Sequence, residues 1–327
     1  MVLLHKLKKE ITDTEDLAGL IKNIRDVAMA HYHTMEREEA HFYRFMKEYQ
    51  DIFGHVNHHL LGQNERIAGL DNGLQNFMYR LIYSPTEIDS PLIHLKSDVE
   101  CYILVTMDSG LVGGFDKTIV RTALEHNEGK EKPIHYVVIG ERGASQLSND
   151  VTDFKFFEGC DKHDPDISQK AKEVMDYIFQ QTMEGKIGRS YIVSPYGETF
   201  SSMHHINVVN LLPCELLGKT HDTVKNGGTE RMLFESSPED AINYLVKQWL
   251  YLKLYESLKD TKLSEYAARY TQTSKGSDSL DERSDELVIQ HRKAMGKKAD
   301  NDSIARSTFI KVRERKEKQR RKRLSSS

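Results

Sequence analysis

Apolar positions recur at alternating three- and four-residue steps along the first part of the chain. They run Ile21, Ile24, Ala28, His31, Met35, Glu38, Phe42, Phe45, Tyr49, Ile52 and Val56, with two polar residues in the series. A spacing that averages 3.5 residues marks a helix that lays one narrow stripe along a second helix. No proline falls between Met1 and Tyr83, and a helix from Ala18 to His59 would span on the order of 60 Å at about 1.5 Å per residue. Such a helix needs a partner of similar length. The stretch Leu3 to Glu10 merges with it, and Asp13 or Thr14 is placed to cap a fresh start with Asp16 in the first turn. Gly54, Gly62, Gly69 and Gly73 fray the pattern, and Ser84-Pro85 and Ser90-Pro91 break it.

From Glu100 the pattern changes. CYILVTM is a short continuous apolar run, as in a buried strand, followed by the glycine-rich turn MDSGLVGGFD and the helical KTIVRTALEHN. HYVVIG is a second strand, ERGASQLSND a short helix or turn, and DFKFF a third, more exposed strand. Asp166 to Glu184 is an amphipathic helix through Ile167, Ala171, Val174 and Ile178; SYIVSPYG and MHHINVVNLLP are further strands. Strands alternating with helices predict a small open sheet with crossover helices, a Rossmann-like domain over 97–215. A second long helix begins near Ser236 to Pro238, with Ile242, Leu245, Trp249, Leu252, Tyr255 and Leu258 or Lys259 as its stripe and only Gly276 and Gly296 interrupting it. The expected fold class is therefore α/β plus a long antiparallel coiled coil of the N- and C-terminal helices. Its parts are an N-terminal helical region (1–83), the sheet domain (97–215), a C-terminal helix (236–308) and a basic tail (309–327).

Composition agrees with long solvated helices: 29% of residues are charged, 38% are hydrophobic, and mean hydropathy is −0.59. The net charge of −4 is unevenly spread, because nine Lys/Arg stand against two Glu between Phe309 and Leu324. That end is a candidate for nucleic acid or an acidic surface, although such a run is more often a solvated terminus. Cys101, Cys160 and Cys214 lack paired spacing and fit reduced thiols. No segment approaches the roughly 18 apolar residues of a membrane span, and MVLLHKLKKEI lacks a signal-peptide core, so membrane association is expected through partners.

Motifs for chemistry are sparse. The glycine turn precedes a helix and could present N–H groups to a phosphate, but GxGxxG is absent, and a tight turn is the plainer reading. Gly218-Lys219-Thr220 resembles the end of a phosphate loop, yet Pro213 stands where its first glycine belongs. His55, His58 and His59 sit one turn apart without carboxylate or cysteine support, and His204-His205 face opposite sides of a strand. No nucleophile-and-base constellation is present.

Three collinear blocks resemble the gamma subunit, or central rotor shaft, of F-type rotary ATP synthases: LIKNIRDVA (Leu20 to Ala28), MDSGLVGGFDKTIV (Met107 to Val120) and SEYAAR (Ser264 to Arg269). VVIGERGA (Val137 to Ala144), YIVSPY (Tyr191 to Tyr196) and Leu211 to Pro213 support them. Glu15-Asp16-Leu17, LIKNIR and Tyr32 to Glu36 are closer to the family's alternate, sodium-type branch. The resemblance implies a non-catalytic shaft without a cofactor of its own, ATP/ADP and Mg lying on partner subunits. Its implied partners are the alpha and beta subunits, an epsilon-type stalk subunit and a membrane ion-translocating ring. Its implied place is peripheral, on the cytoplasmic face of the membrane or the matrix side. Lys22 and Arg25 carry over as subunit-contact candidates, with Arg269 and Arg292; Gly110, Gly113 and Gly114 form the family turn. The expected helix-pair core is Ile21, Ile24, Ala28, Met35, Phe42, Phe45 and Tyr49 against Ile242, Leu245, Trp249 and Leu252, with His31 and Glu38 facing the surrounding ring. The chain departs from the family in Ser109 where an arginine stands, Val112 where a cysteine stands, a last helix reading His291-Arg292-Lys293-Ala294, and a basic rather than apolar end. A stand-alone coiled-coil adaptor whose basic tail binds nucleic acid or an acidic partner is the alternative; nucleic acid is the less favoured partner.

Overall fold

The computed structural model describes residues 2–60, 90–92, 95–108, 114–129, 132–160, 164–196, 205–214 and 238–324. Two compact units divide the chain: Met1–Val27 with Tyr270–Ser327, and Ala28–Arg269.

Two helices run through both units. Helix α1 spans Val2–Leu60 without a restart at Asp13 or Thr14. The Thr14 hydroxyl donates 2.7 Å back to the Glu10 carbonyl and Thr12 does the same to Lys8, so these side chains serve the preceding turn instead of capping a new one. The last helix, called α5 below, spans Pro238–Leu324. Proline stands at its first position, where a missing N–H costs nothing. It passes through Gly276 and Gly296 and takes in the stretch expected as a separate tail.

The Ala28–Arg269 unit holds β1 (Glu100–Val105), α2 (Phe115–Asn127), β2 (Ile134–Ile139), α3 (Glu141–Leu147), β3 (Phe154–Phe157), α4 (Asp164–Met183), β4 (Ser190–Tyr196) and β5 (His205–Leu212). The sheet order is β3-β2-β1-β4-β5. All pairs are parallel except β4 with β5. Register follows the two-residue period of a strand. Ile103 lies beside Val137 and Ile192, and these point to the face covered by α4 (Ile167, Val174, Ile178) and by Val246, Leu250 and Leu254 of α5. Leu104, Val138 and Val193 point to the opposite face, under Ile119, Val120 and Ala123 of α2 and Leu147 of α3. Burial on both faces is why these strands read as continuous apolar runs.

Candidate functional site

Within the Ala28–Arg269 unit, α1 and α5 pack antiparallel. Tyr32 and Met35 meet Leu263, Tyr266 and Ala267; the Phe42 ring lies 5.2 Å from that of Tyr255; the Tyr49 hydroxyl donates to the Leu245 carbonyl. Ala28, Tyr32, Met46 and Phe53 are buried, and Met35, Phe42 and Tyr49 are half-buried. This seam shares every seventh residue with the sequence pattern but is displaced at the alternate places. Tyr32 takes the position expected for His31, and Met46 that for Phe45, which is 52% exposed. Ile52 is likewise exposed while Phe53 is buried; the side chain of Val56 lies outside the described residues. On α5, Ile242, Trp249 and Leu252 are buried and Leu245 half-buried, in one cluster that also includes the sheet and α4.

The two polar residues expected to face the ring each touch α5 and remain exposed. The His31 ring stacks on Tyr266 at 5.2 Å, and Glu38 pairs with the buried Lys259 at 3.4 Å. One turn further along, the SEYAAR block is sunk in the packing: Ser264 through Ala268 are all buried. Glu265 holds Lys262 at 3.0 Å and also pairs with Arg269, whose guanidinium lies over the Tyr266 ring. A carboxylate flanked by two cations three and four residues away is satisfied within its own helix, which allows a charge at the core of the pair. Spacing offered Leu258 or Lys259 for the stripe, and both are buried; the pairing of Glu265 with Lys262 and Arg269 was not legible, because helical charges ordinarily mark solvated faces.

In the other unit the same spacing continues. Leu7 and Ala18 are buried, and Ile11, Thr14, Ile21 and Arg25 are half-buried. Opposite them on α5, Thr273, Ser277 and Leu287 are buried. A Cβ on Gly276 would lie 3.8 Å from Ile21 Cδ1. Ile24 stands at the margin, partly exposed. Of the basic candidates, Lys22 pairs across the seam with Asp281 at 3.0 Å and Arg25 pairs with Asp26 at 2.9 Å. Arg292 is exposed.

At the carboxyl end of the sheet, Gly114 (φ 79°) turns the chain into α2; Gly110 and Gly113 lie outside the described residues. Asp116 is buried in the first turn, accepting the Met107 N–H at 2.9 Å and pairing with Arg142 at 3.1 Å. Burial raises its pKa despite both partners. Asp108 accepts the Glu141 N–H at 2.9 Å. A phosphate approaching this turn would meet two carboxylates, and Gly114 serves the left-handed turn itself, with open space where a Cβ would stand. Gly143 serves close packing: a Cβ there would fall 2.2 Å from Thr106 Oγ1. Gly218-Lys219-Thr220, His204 and the side chains of His55, His58 and His59 lie outside the described residues; His205 is exposed on β5. Cys101, Cys160 and Cys214 are buried free thiols, that of Cys160 pushed up to about 11 by burial. Among the described residues no helix is long and apolar enough to cross a membrane.

A family model described as ATP synthase matches residues 3–296. The ATP synthase gamma chain of Symbiobacterium thermophilum is 24% identical over 221 residues, covering 66% of this chain and 74% of the relative. The sodium ion specific ATP synthase gamma chain of Acetobacterium woodii is 27% identical over 208 residues, covering 59% and 67%. In fold, the chain is similar to one in the cryo-EM structure of the Euglena gracilis mitochondrial ATP synthase (OSCP/F1/c-ring, rotational state 3), with a TM-score of 0.59, 14% identity, and coverage of 95% and 94%.

Proposed function

The chain belongs to the ATP synthase family, and from that premise we propose that it works as a gamma-type central shaft, non-catalytic itself, in a rotary ATP synthase. One observation carries the reading: the antiparallel seam of α1 and α5, found in each unit, with the family's SEYAAR block buried inside it. Heptad packing with aromatic stacking and buried ion pairs resists bending and sliding of one helix on the other, which a torque-bearing element requires.

The mechanism needs no chemistry on this chain. A shaft that lacks the symmetry of the surrounding alpha and beta subunits touches each catalytic site differently. Its angle therefore biases each site among states of different nucleotide affinity, and the coupling is a difference in contact free energy. ATP, ADP and Mg bind on those partners. The sheet domain is the part that would engage an epsilon-type stalk subunit and the ion-translocating ring, placing the chain peripherally at the membrane, on the cytoplasmic or matrix side. Lys22, Arg25, Arg269 and Arg292 are the proposed subunit contacts. For the first three this means exchanging or sharing the carboxylate partners they hold here.

Purification from membranes tests the reading. The chain should co-elute with two larger nucleotide-binding subunits, each in excess over it, and ATP hydrolysis by that complex should be coupled to ion movement. Elution as a lone chain with no associated ATPase would refute it.

A further inference from the structure

The seam of α5 outlasts its partner. Leu287, His291 and Ala294 are followed at the same three- and four-residue steps by Lys298, Asn301, Ala305, Thr308 and Val312, flanked by Ile304 and Phe309. Leu4 and Leu7 of α1 line a cleft with residues of this face between Gln290 and Asp302. Past Asp302 no described residue of α1 lies opposite, and every residue from Met295 to Lys318 is exposed. Four large apolar side chains stand in water there: Ile304 (64%), Phe309 (68%), Ile310 (56%) and Val312 (45%). They are embedded in a strongly basic helix, with ten Lys/Arg against two Glu from Ser303 to Leu324. The family match ends at residue 296, and the charged end differs from the apolar end of the family it resembles.

We propose that α5 beyond Asp302 is a docking helix for a partner protein's helix, one with an apolar heptad stripe bordered by Asp and Glu. The exposed apolar side chains fix the kind of contact, because Ile304, Ala305, Phe309 and Val312 fall on one broad face of the helix, which another helix can cover. Charge fixes the partner's sign. A second copy of this segment would set two strongly positive helices side by side, whereas an acidic helix is drawn in and neutralises Arg306, Lys311, Arg313 and Arg315. Nucleic acid would use the cations but leave Ile304, Phe309 and Val312 in water, since affinity for it resides in phosphate contacts.

The test uses the full chain and a designed probe, a four-heptad peptide with Leu at the core positions and Glu beside them, read by fluorescence anisotropy. Ile304→Ser with Phe309→Ser should weaken binding by at least about tenfold, and Lys311→Glu with Arg315→Glu should do the same. Both pairs lie on an exposed single helix, so the fold is not at stake. Equal binding by the serine variant would reduce the effect to charge attraction and overturn the proposal, as would tighter binding of a DNA duplex or of phosphatidylglycerol vesicles. In the assembled complex, a photo-cross-linking residue at position 309 should join to an acidic helical segment of another subunit. A cross-link to a basic or strand surface, or none, would overturn it. The docking proposal does not depend on the shaft reading: loss of coupled ATPase with peptide binding intact would count against the shaft alone.

Discussion

Met46 and Phe45 are neighbours on α1 with opposite surroundings, and truncating each in turn tests the register of the helix pair. Met46 is 4% exposed in the cluster that also holds Trp249, Leu250 and Leu254. Phe45 projects outward. Met46→Ala removes buried thioether contacts and leaves a void, a change that costs about 2–5 kcal/mol. Phe45→Ala removes a larger side chain from water and should change stability by less than about 0.5 kcal/mol. Trp249 is the single tryptophan of the chain and is buried in the same cluster. Its fluorescence during urea unfolding therefore reports on this unit. With a denaturant slope of about 3 kcal/mol per molar, a loss of about 3 kcal/mol moves the midpoint down by about 1 M. The expected outcome is a large shift for Met46→Ala and almost none for Phe45→Ala. Equal shifts, or a larger one for Phe45→Ala, would refute the register and restore the seam suggested by the sequence spacing.

Replacing Glu265 by Ala should destabilise the chain by about 3 kcal/mol, because Lys262 and Arg269 would remain largely buried without their counter-charge; calorimetry showing no change would mean that the cluster is solvated. Gly276→Ala should stabilise the Met1–Val27 and Tyr270–Ser327 unit by about 1 kcal/mol, since alanine favours the helix and its Cβ would meet Ile21 at an ordinary contact distance. Slower amide exchange around residue 276 is the readout, and faster exchange would contradict it. Burial holds the pKa of His135 below its usual value, while its ring bonds to the Tyr177 hydroxyl at 2.9 Å. The fold thus favours the neutral ring, and that stability is complete above the unfolded pKa of about 6.5 and lost as pH falls through the lower folded value. His135→Gln should flatten the decline in unfolding midpoint between pH 7.5 and 5; an unchanged decline would assign the pH dependence to other groups.

What the sequence determined by itself was local. Periods of two and of about 3.5 residues are set by backbone geometry, so strands buried on both faces and two long helices were legible without any knowledge of their partners. The choice between adjacent stripes was not. Ile21, Ala28, Met35, Phe42 and Tyr49 belong equally to a stripe that steps first by three and to one that steps first by four. Apolar Ile24, Phe45 and Ile52 favoured the former in the sequence; Tyr32, Met46 and Phe53 are the ones that α5 and the sheet cover. Nor could spacing reveal that His31 stacks on Tyr266, that Glu38 meets a buried lysine, or that Glu265 lies sunk between two cations. Solvation is the preferred state of a charge unless a counter-charge is brought to it. For the buried Lys259, that counter-charge comes from residue 38, a position the chain reaches only through tertiary packing.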